Sequence, residues 1–461
     1  MNILVINGSP AGEDSITLQT VEYINRLFPE HEYVHLNAGQ QIKTFENDFS
    51  KAETQLLNAD LIVFCYPVYT FLAPAQLHRF IELIKERRVP LEGKYATQIT
   101  TSKHFYDITA HEFIRENCMD LGLRYINGLS ADMDDLLCEK GRSDAEAFFR
   151  HLVWSVENGR GETGKTEDGR QPELCRASVP ESSGTEKKEG RIAVVADLGG
   201  DDGTLADMIA RFTAVCPYEC SVIDIGEFPF AGGCLGCFNC ASDGKCIYKD
   251  GFDTFLREKI QTSDAGVYAF TVRDHSMGSR FKMFDDRQFC NGHRTVTMGK
   301  PVGYLVSGRL SGEPNLRTLI EARAQVGGNY LAGTAGNETD PDGEIDALAN
   351  ELDYALGNGY SQPANFYGVG GMKIFRDLIY QMQGLMREDH RFYKEHGFYD
   401  FPQKRRGRIV GMYLVGSLMN SKKLKKKMGG SMTKGMLRPY RKVVENAVPS
   451  DGDAEKEQEQ H

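Results

Sequence analysis

The sequence repeats itself at long range, and that repeat restricts what the chain can fold into more than any other feature. Ile3 to Gly8 (ILVING) matches Ile192 to Asp197 (IAVVAD) at an offset of 189, and Pro67-Val68-Tyr69 matches Thr271-Val272-Arg273 at an offset of 204. Downstream, PVYTFLAPAQLHRFIEL aligns without gaps to TVRDHSMGSRFKMFDDR, and Lys94 pairs with Lys300 at an offset of 206. Two tandem copies of one fold explain these offsets; chance likeness between two ordinary α/β domains is the alternative. The extra residues of the second copy fall where it carries a run of four cysteines.

Within the first copy, apolar strands alternate with helical stretches: NILVING, a helix over Thr17 to Leu27, EYVHLNA, a helix near Lys51 to Asn58, DLIVFCYPVY, a helix over Ala75 to Lys85, and YATQITT. This order predicts right-handed crossovers and a doubly wound parallel sheet covered on both faces. The expected organisation is a first α/β domain over 1–157, a flexible polar linker over 158–190, a second α/β domain over 191–350, a helical basic extension over 351–447 and a disordered tail over 448–461. The extension mixes aromatic helical stretches with KRRGR, SKKLKKKM and LRPYRK. That charge pattern reads as a solvated surface, or as a contact with an anionic membrane or an acidic redox partner.

A formal net charge of −11 argues against nonspecific nucleic-acid binding by the whole molecule. Met1 runs directly into ILVIN with no charged-then-apolar leader, and no stretch approaches the roughly 18 apolar residues of a membrane span. The expected location is the cytoplasm, where eleven cysteines are better read as thiols and a metal site than as a disulfide framework.

Two places carry chemistry. The first strand opens into Asn7-Gly8-Ser9-Pro10, with Ser15 and Thr17 ahead of the helix. Free amides and a helix dipole at such a turn suit a phosphate, and the hydroxyls add donors; a helix simply capped by Ser15 is the plainer reading. Pro67-Val68-Tyr69-Thr70-Phe71 follows the third strand, at the switch point where doubly wound sheets bind ligands, and Thr100-Thr101-Ser102-Lys103-His104 follows the next. Tyr69 and Phe71 offer flat faces to a planar ring. The second place is Cys234, Cys237, Cys240 and Cys246, spaced C-x2-C-x2-C-x5-C among glycines. A [4Fe-4S] cluster is the best fit to so compact a run; zinc, disulfides or a site without metal are the alternatives.

The GSP-x4-S-x-T, PVY and TTS loops together resemble the NADPH-dependent FMN reductase and iron-sulfur flavoprotein family, of flavodoxin-like fold, over residues 1 to about 130 and more weakly over 191 to about 335. The cysteine run lies where the iron-sulfur flavoproteins carry theirs. The resemblance implies two tandem flavodoxin-like sheets. It also implies FMN phosphate held by Ser9, Ser15 and Thr17, with the isoalloxazine flanked by Pro67, Val68, Tyr69, Thr101 and Ser102. The Arg usual after GSP is Ala11 here. The second copy has Asp201 and Asp202 in its phosphate loop, which would repel a phosphate, so one flavin in the first copy and one cluster in the second, meeting at a mutual interface, is the expectation.

The function expected is an FMN- and [4Fe-4S]-dependent oxidoreductase that reduces a small-molecule acceptor with electrons from NAD(P)H or a ferredoxin-type donor, as a monomer or a homo-oligomer. A non-catalytic electron carrier and a redox sensor are the other readings. Tyr69, His104, Arg273 and His275 are the candidate proton donors or substrate-positioning groups. No G-x-G-x-x-G nicotinamide fingerprint follows a strand.

Overall fold

Strands NILVIN and LIVFCYP bury nearly every side chain, as the central strands of a parallel sheet with both faces covered must. In a computed structural model, which describes residues 1–163, 174–180, 186–200 and 202–419, they are two of eleven strands in two parallel sheets. The first sheet contains β1 (Asn2–Asn7), β2 (Glu32–Leu36), β3 (Leu61–Pro67), β4 (Tyr95–Ser102), β5 (Arg124–Tyr125) and β6 (Leu129–Asp132) in the order β2-β1-β3-β4-β5, with β6 also pairing β4. The second contains β7 (Lys188–Ala196), β8 (Tyr218–Asp224), β9 (Ala265–Thr271), β10 (Pro301–Ser307) and β11 (Tyr330–Ala335) in the order β8-β7-β9-β10-β11. Counted within each half, both orders are 2-1-3-4-5, the doubly wound order whose switch point lies between the first and third strands.

Helices α1 (Ile16–Leu27), α2 (Ala38–Asn47), α3 (Ser50–Asn58), α4 (Ala75–Glu86), α5 (Asp107–Asp120) and α6 (Glu139–Glu157) surround the first sheet. Around the second lie α7 (Thr204–Val215), the single turn α8 (Phe252–Phe255), α9 (Gly278–Arg287), α10 (Pro314–Gly327) and α11 (Pro341–Asn358). The helical C-terminal region follows as α12 (Phe366–Gln381), α13 (Arg387–Glu395) and α14 (Arg406–Met419).

Duplication extends to the backbone of the switch-point turns. Thr70 and Phe71 have φ of 42° and 72°, and Asp274 and His275, 204 residues later, have φ of 49° and 61°. Left-handed conformations are costly outside glycine, so the same unusual turn at the same offset is a strong mark of common origin. The cores are arranged accordingly. Ile3, Val5, Leu18 and Phe149 pack one outer face of the first sheet, and Val194, Leu205, Phe212 and Leu352 pack an outer face of the second. The inner faces share one continuous core in which Phe64, Phe80 and Phe113 join Phe252, Phe284 and Leu316.

The described chain divides into a first compact unit, Met1–His396, which contains both sheets, and a second beginning at Gly397. The described part of the second unit is a short helical turn, Pro402–Lys404, followed by α14. Part of the segment read as a linker is fastened down: the Cys175 amide donates to Asn337 O at 2.8 Å, and the Ser178 amide to Asp342 Oδ1 at 2.8 Å. The expected tail over 448–461, with SKKLKKKM and LRPYRK, lies outside the described residues.

Candidate functional site

The chain leaves β1 through a loop fixed by one buried side chain. Asn7 Nδ2 donates to Gly12 O at 2.8 Å and to Asn37 Oδ1 at 3.0 Å, while Asn7 Oδ1 accepts the Ser9 amide at 3.1 Å. Ser9, Ser15 and Thr17 are all buried. Ser15 caps α1 by accepting the Leu18 amide, and the amides of Ile16 and Thr17 in the same first turn have no intrahelical acceptor. Thr17 Oγ1 and Thr101 Oγ1 lie 2.5 Å apart, which ties this loop to the end of β4.

Beside it, the Tyr69-Thr70-Phe71 turn is held from the other half of the molecule. Lys282 and Asp286, one turn apart on α9, are fully buried and paired. Lys282 Nζ donates to Tyr69 O at 2.9 Å and to Thr70 Oγ1 at 2.5 Å, and Thr70 Oγ1 donates to Asp286 Oδ1 at 2.6 Å. A buried ion pair costs much to desolvate unless further hydrogen bonds satisfy it. Here the backbone carbonyl and hydroxyl of the first-half turn supply those bonds, so the turn and the pair stabilise each other.

The four cysteines occupy the long connection from β8 to α8, where the first half has α2. None is in a disulfide. The Gln76 side chain donates to Cys234 O at 3.3 Å, and Lys43 Nζ donates to Ala231 O at 2.8 Å, so first-half side chains hold the run in place. Burial raises the Cys234 thiol pKa and pushes that of Cys240 up to about 11. Gly236, between Cys234 and Cys237, has φ of 61°, and a Cβ there would lie 1.8 Å from Tyr69 Oη. The tyrosine of the first-half turn therefore rests directly on the cysteine loop. Among the described residues, no three of the four sulfurs lie within 4.8 Å of one another. A single tetrahedral zinc with Zn–S of about 2.3 Å would need them about 3.8 Å apart.

Both places open into one cavity of about 550 Å³, whose walls include Ser9, Ser15, Thr17, Tyr69 and Thr101 from the first half and all four cysteines from the second.

Residues 1–131 match the model of a family described as having a flavodoxin-like fold. The first domain is flavodoxin-like. An iron-sulfur flavoprotein of Archaeoglobus fulgidus is 28% identical over 174 residues, spanning 36% of this chain and 79% of that protein. Among solved structures, an FMN-dependent NADH-azoreductase from Bacillus anthracis aligns at 14% identity and a TM-score of 0.27, over 33% of this chain and 98% of its own. An NAD(P)H:(acceptor) oxidoreductase from Paracoccus denitrificans aligns at 15% identity and a TM-score of 0.29, over 34% and 98%.

The second flavodoxin-like copy has filled its own phosphate loop. Arg273 Nη2 donates to Gly199 O at 2.6 Å, and Arg280 pairs with Asp197 at 3.3 Å, its guanidinium lying where a Cβ on Gly199 would be. Asp202 Oδ1 accepts the Thr204 amide at 3.0 Å, so a carboxylate already sits on the start of α7; Asp201 lies outside the described residues. In the flavodoxin-like first domain the corresponding donors are hydroxyls and helix-start amides, a set that fits a phosphate dianion, with the faces of Val68 and Tyr69 beside it for a planar ring. Lys103, the cation in this wall, already pairs with Asp132 and Asp134 at 2.7 Å each, so it does not simply replace the Arg missing at Ala11.

Of the four candidate proton-donating or substrate-positioning groups, the structure brings only Tyr69 to the cavity wall; His104, Arg273 and His275 are absent from its lining. His104 pairs with Asp107 at 2.9 Å. His275 bridges the halves, with Nε2 3.0 Å from Asp120 and Nδ1 3.0 Å from Glu313. Burial works against its charge, but these two carboxylates prevail and raise its pKa to about 10. It also approaches Glu116, within the 4.8 Å that could suit a metal ion, yet an imidazolium cannot ligate one.

The sequence did not reveal the far wall, formed by Phe289 and His293 after α9 together with Phe375, Met382 and Met386 of the C-terminal region. His293 Nδ1 lies 3.4 Å from the buried Asp389 carboxylate, and its ring packs edge-on against Phe375 at 4.6 Å. Aromatic density in 363–401 was visible, but no periodicity indicates which cavity a terminal helix closes.

Proposed function

We propose that the protein is a flavin oxidoreductase with one FMN and one iron-sulfur site per chain, reducing a small-molecule acceptor at the expense of NAD(P)H or a ferredoxin-type donor. One observation carries this reading: Tyr69 of the flavin-type turn rests on Gly236 within the cysteine run, inside one shared cavity.

In this reading Ser9, Ser15, Thr17 and the first amides of α1 hold the FMN phosphate, while Pro67, Val68, Tyr69, Thr101 and Ser102 flank the ring. Bound there, FMN would supply hydride and single-electron chemistry, and a cluster on Cys234, Cys237, Cys240 and Cys246 would supply single-electron steps. The compact C-x2-C-x2-C-x5-C run of four thiols is the donor set that supports an iron-sulfur cluster in this reading. The chain's own groups do the rest. Lys282 and Asp286 keep the Tyr69 turn rigid, and the apolar wall of Phe289, Phe375, Met382 and Met386 excludes water and favours a flat, apolar acceptor. His293, oriented by Asp389, can hold a proton at Nε2, which has no hydrogen-bond partner among the described residues.

Anaerobic stopped-flow spectroscopy tests the proposal. Bleaching of the flavin band by NADPH or NADH, followed by reoxidation with a quinone, is the expected result. Reduction by a protein donor alone, with no turnover of any small acceptor, would instead identify an electron carrier.

A further inference from the structure

Between residues 401 and 444 the chain carries thirteen Lys and Arg and no Asp or Glu. Subtracting those thirteen from the formal −11 of the whole chain leaves −24 on the remainder. So strong a segregation of charge is unlike a mixed solvated surface, where both signs are interspersed. Within this stretch lies α14, RGRIVGMYLVGSLM, which contains no acidic residue and carries its cations only at Arg406 and Arg408.

The helix exposes its apolar residues. Ile409, Val410, Met412, Tyr413 and Leu414 are 41%, 59%, 60%, 75% and 64% exposed. At 3.6 residues per turn they fall within an arc of about 200°, with Arg408 and Gly411 on the other side. Such a helix needs an apolar neighbour, and its flanks need an anionic one. Fourteen residues rise only about 21 Å, short of the roughly 30 Å hydrocarbon core of a bilayer, and among the described residues no helix is long and apolar enough to cross a membrane.

We infer that α14 and its basic flanks dock the protein on the surface of an anionic lipid bilayer, with Ile409, Val410, Tyr413 and Leu414 entering the headgroup–acyl boundary and the flanking lysines and arginines binding lipid phosphates. The helix lies in the interface rather than spanning it. A bilayer is the one anionic partner that also offers an extended apolar layer, which nucleic acid lacks. The inference is independent of the redox reading, because none of the described residues of α14 lines the cavity.

Co-sedimentation of the full-length protein with vesicles tests it, using phosphatidylcholine alone and a phosphatidylcholine–phosphatidylglycerol mixture, at low and high salt. At low salt about ten-fold more protein should pellet with the anionic vesicles, and the excess should fall as salt screens the lysines. The triple variant Ile409→Ser, Tyr413→Ser, Leu414→Ser should lose about ten-fold in binding with every charge retained. A variant with Lys422, Lys423, Lys425, Lys426 and Lys427 changed to Gln should lose the salt dependence. Equal pelleting with both vesicle types, no pelleting with either, or binding unchanged in both variants would overturn the inference. So would self-association through α14 that the serine variant abolishes while vesicle binding persists.

Discussion

Asp286 and Glu82 cap one another's helices. Asp286 Oδ2 on α9 accepts the Ala75 amide at the start of α4 at 2.9 Å. Glu82 on α4 accepts the Ser279 amide and hydroxyl at the start of α9, both at 2.7 Å. Ala75 and Ser279, like Glu82 and Asp286, are 204 residues apart, so one contact is made twice about a pseudo-twofold axis, as in an isologous dimer interface. The two halves are arranged as a dimer joined in one chain, and in the proposed reading the flavin site and the cysteine site lie on different copies.

The two caps should not be equivalent in cost. Asp286→Ala leaves the Lys282 ammonium buried without its partner and should destabilise the protein by about 3–5 kcal/mol. Glu82→Ala removes a partly exposed cap and should cost about 1–2 kcal/mol. Urea denaturation at neutral pH measures both, and the first variant should also bind FMN more weakly because the Tyr69 turn loses its support.

The His275 bridge makes stability depend on pH. Its pKa is about 10 in the folded protein, against about 6.5 for an unperturbed imidazole. A raised pKa means the folded state holds the proton more tightly, so the contribution is complete below about pH 6.5 and is lost as pH rises through 10. Unfolding free energies measured across that window should decline in the parent protein. The decline should be shallower in His275→Asn, which lacks this proton-binding group.

Gly236→Ala places a methyl group against the Tyr69 hydroxyl and imposes a left-handed backbone on alanine. The loop must shift, at a cost of about 1–3 kcal/mol, and iron content per chain should fall while flavin content changes little. Gly236→Ala combined with Tyr69→Phe should recover part of the iron, because the nearest clashing atom is gone.

His293→Gln separates proton supply from electron supply. Turnover of a quinone, which must gain a proton as well as electrons, should drop about 100-fold, whereas ferricyanide, which needs no proton, should be reduced at the parental rate. Asp389→Asn should lie between the two and shift the pH profile.

Much of this was legible in the sequence because the offsets 189 and 204 are set by strand ends, which the structure places at Asn7 and Ala196 and at Pro67 and Thr271. The helix Ala38–Asn47 was not foreseen, since AGQQIKTFEN has few aliphatic residues and its apolar face rests on only a few positions such as Ile42 and Phe45. The gapless alignment correctly matched His275 to Phe71, but such a match gives a place within a copy and not the surface it meets. Phe71 stacks on Tyr106 at 4.4 Å in its own half, while His275 reaches across to Asp120. Likewise, Lys282 and Asp286 stand only as two residues of an aligned stretch in the sequence, and the packing of α9 against α4 is what brings them to Thr70.

Quantifying flavin, iron and acid-labile sulfide in anaerobically purified full-length protein tests the division of labour most directly. One FMN with four iron and four sulfide per chain, the iron lost in Cys237→Ser with the flavin retained, is the predicted result. Two flavins per chain, or zinc in place of iron and sulfide, would contradict it.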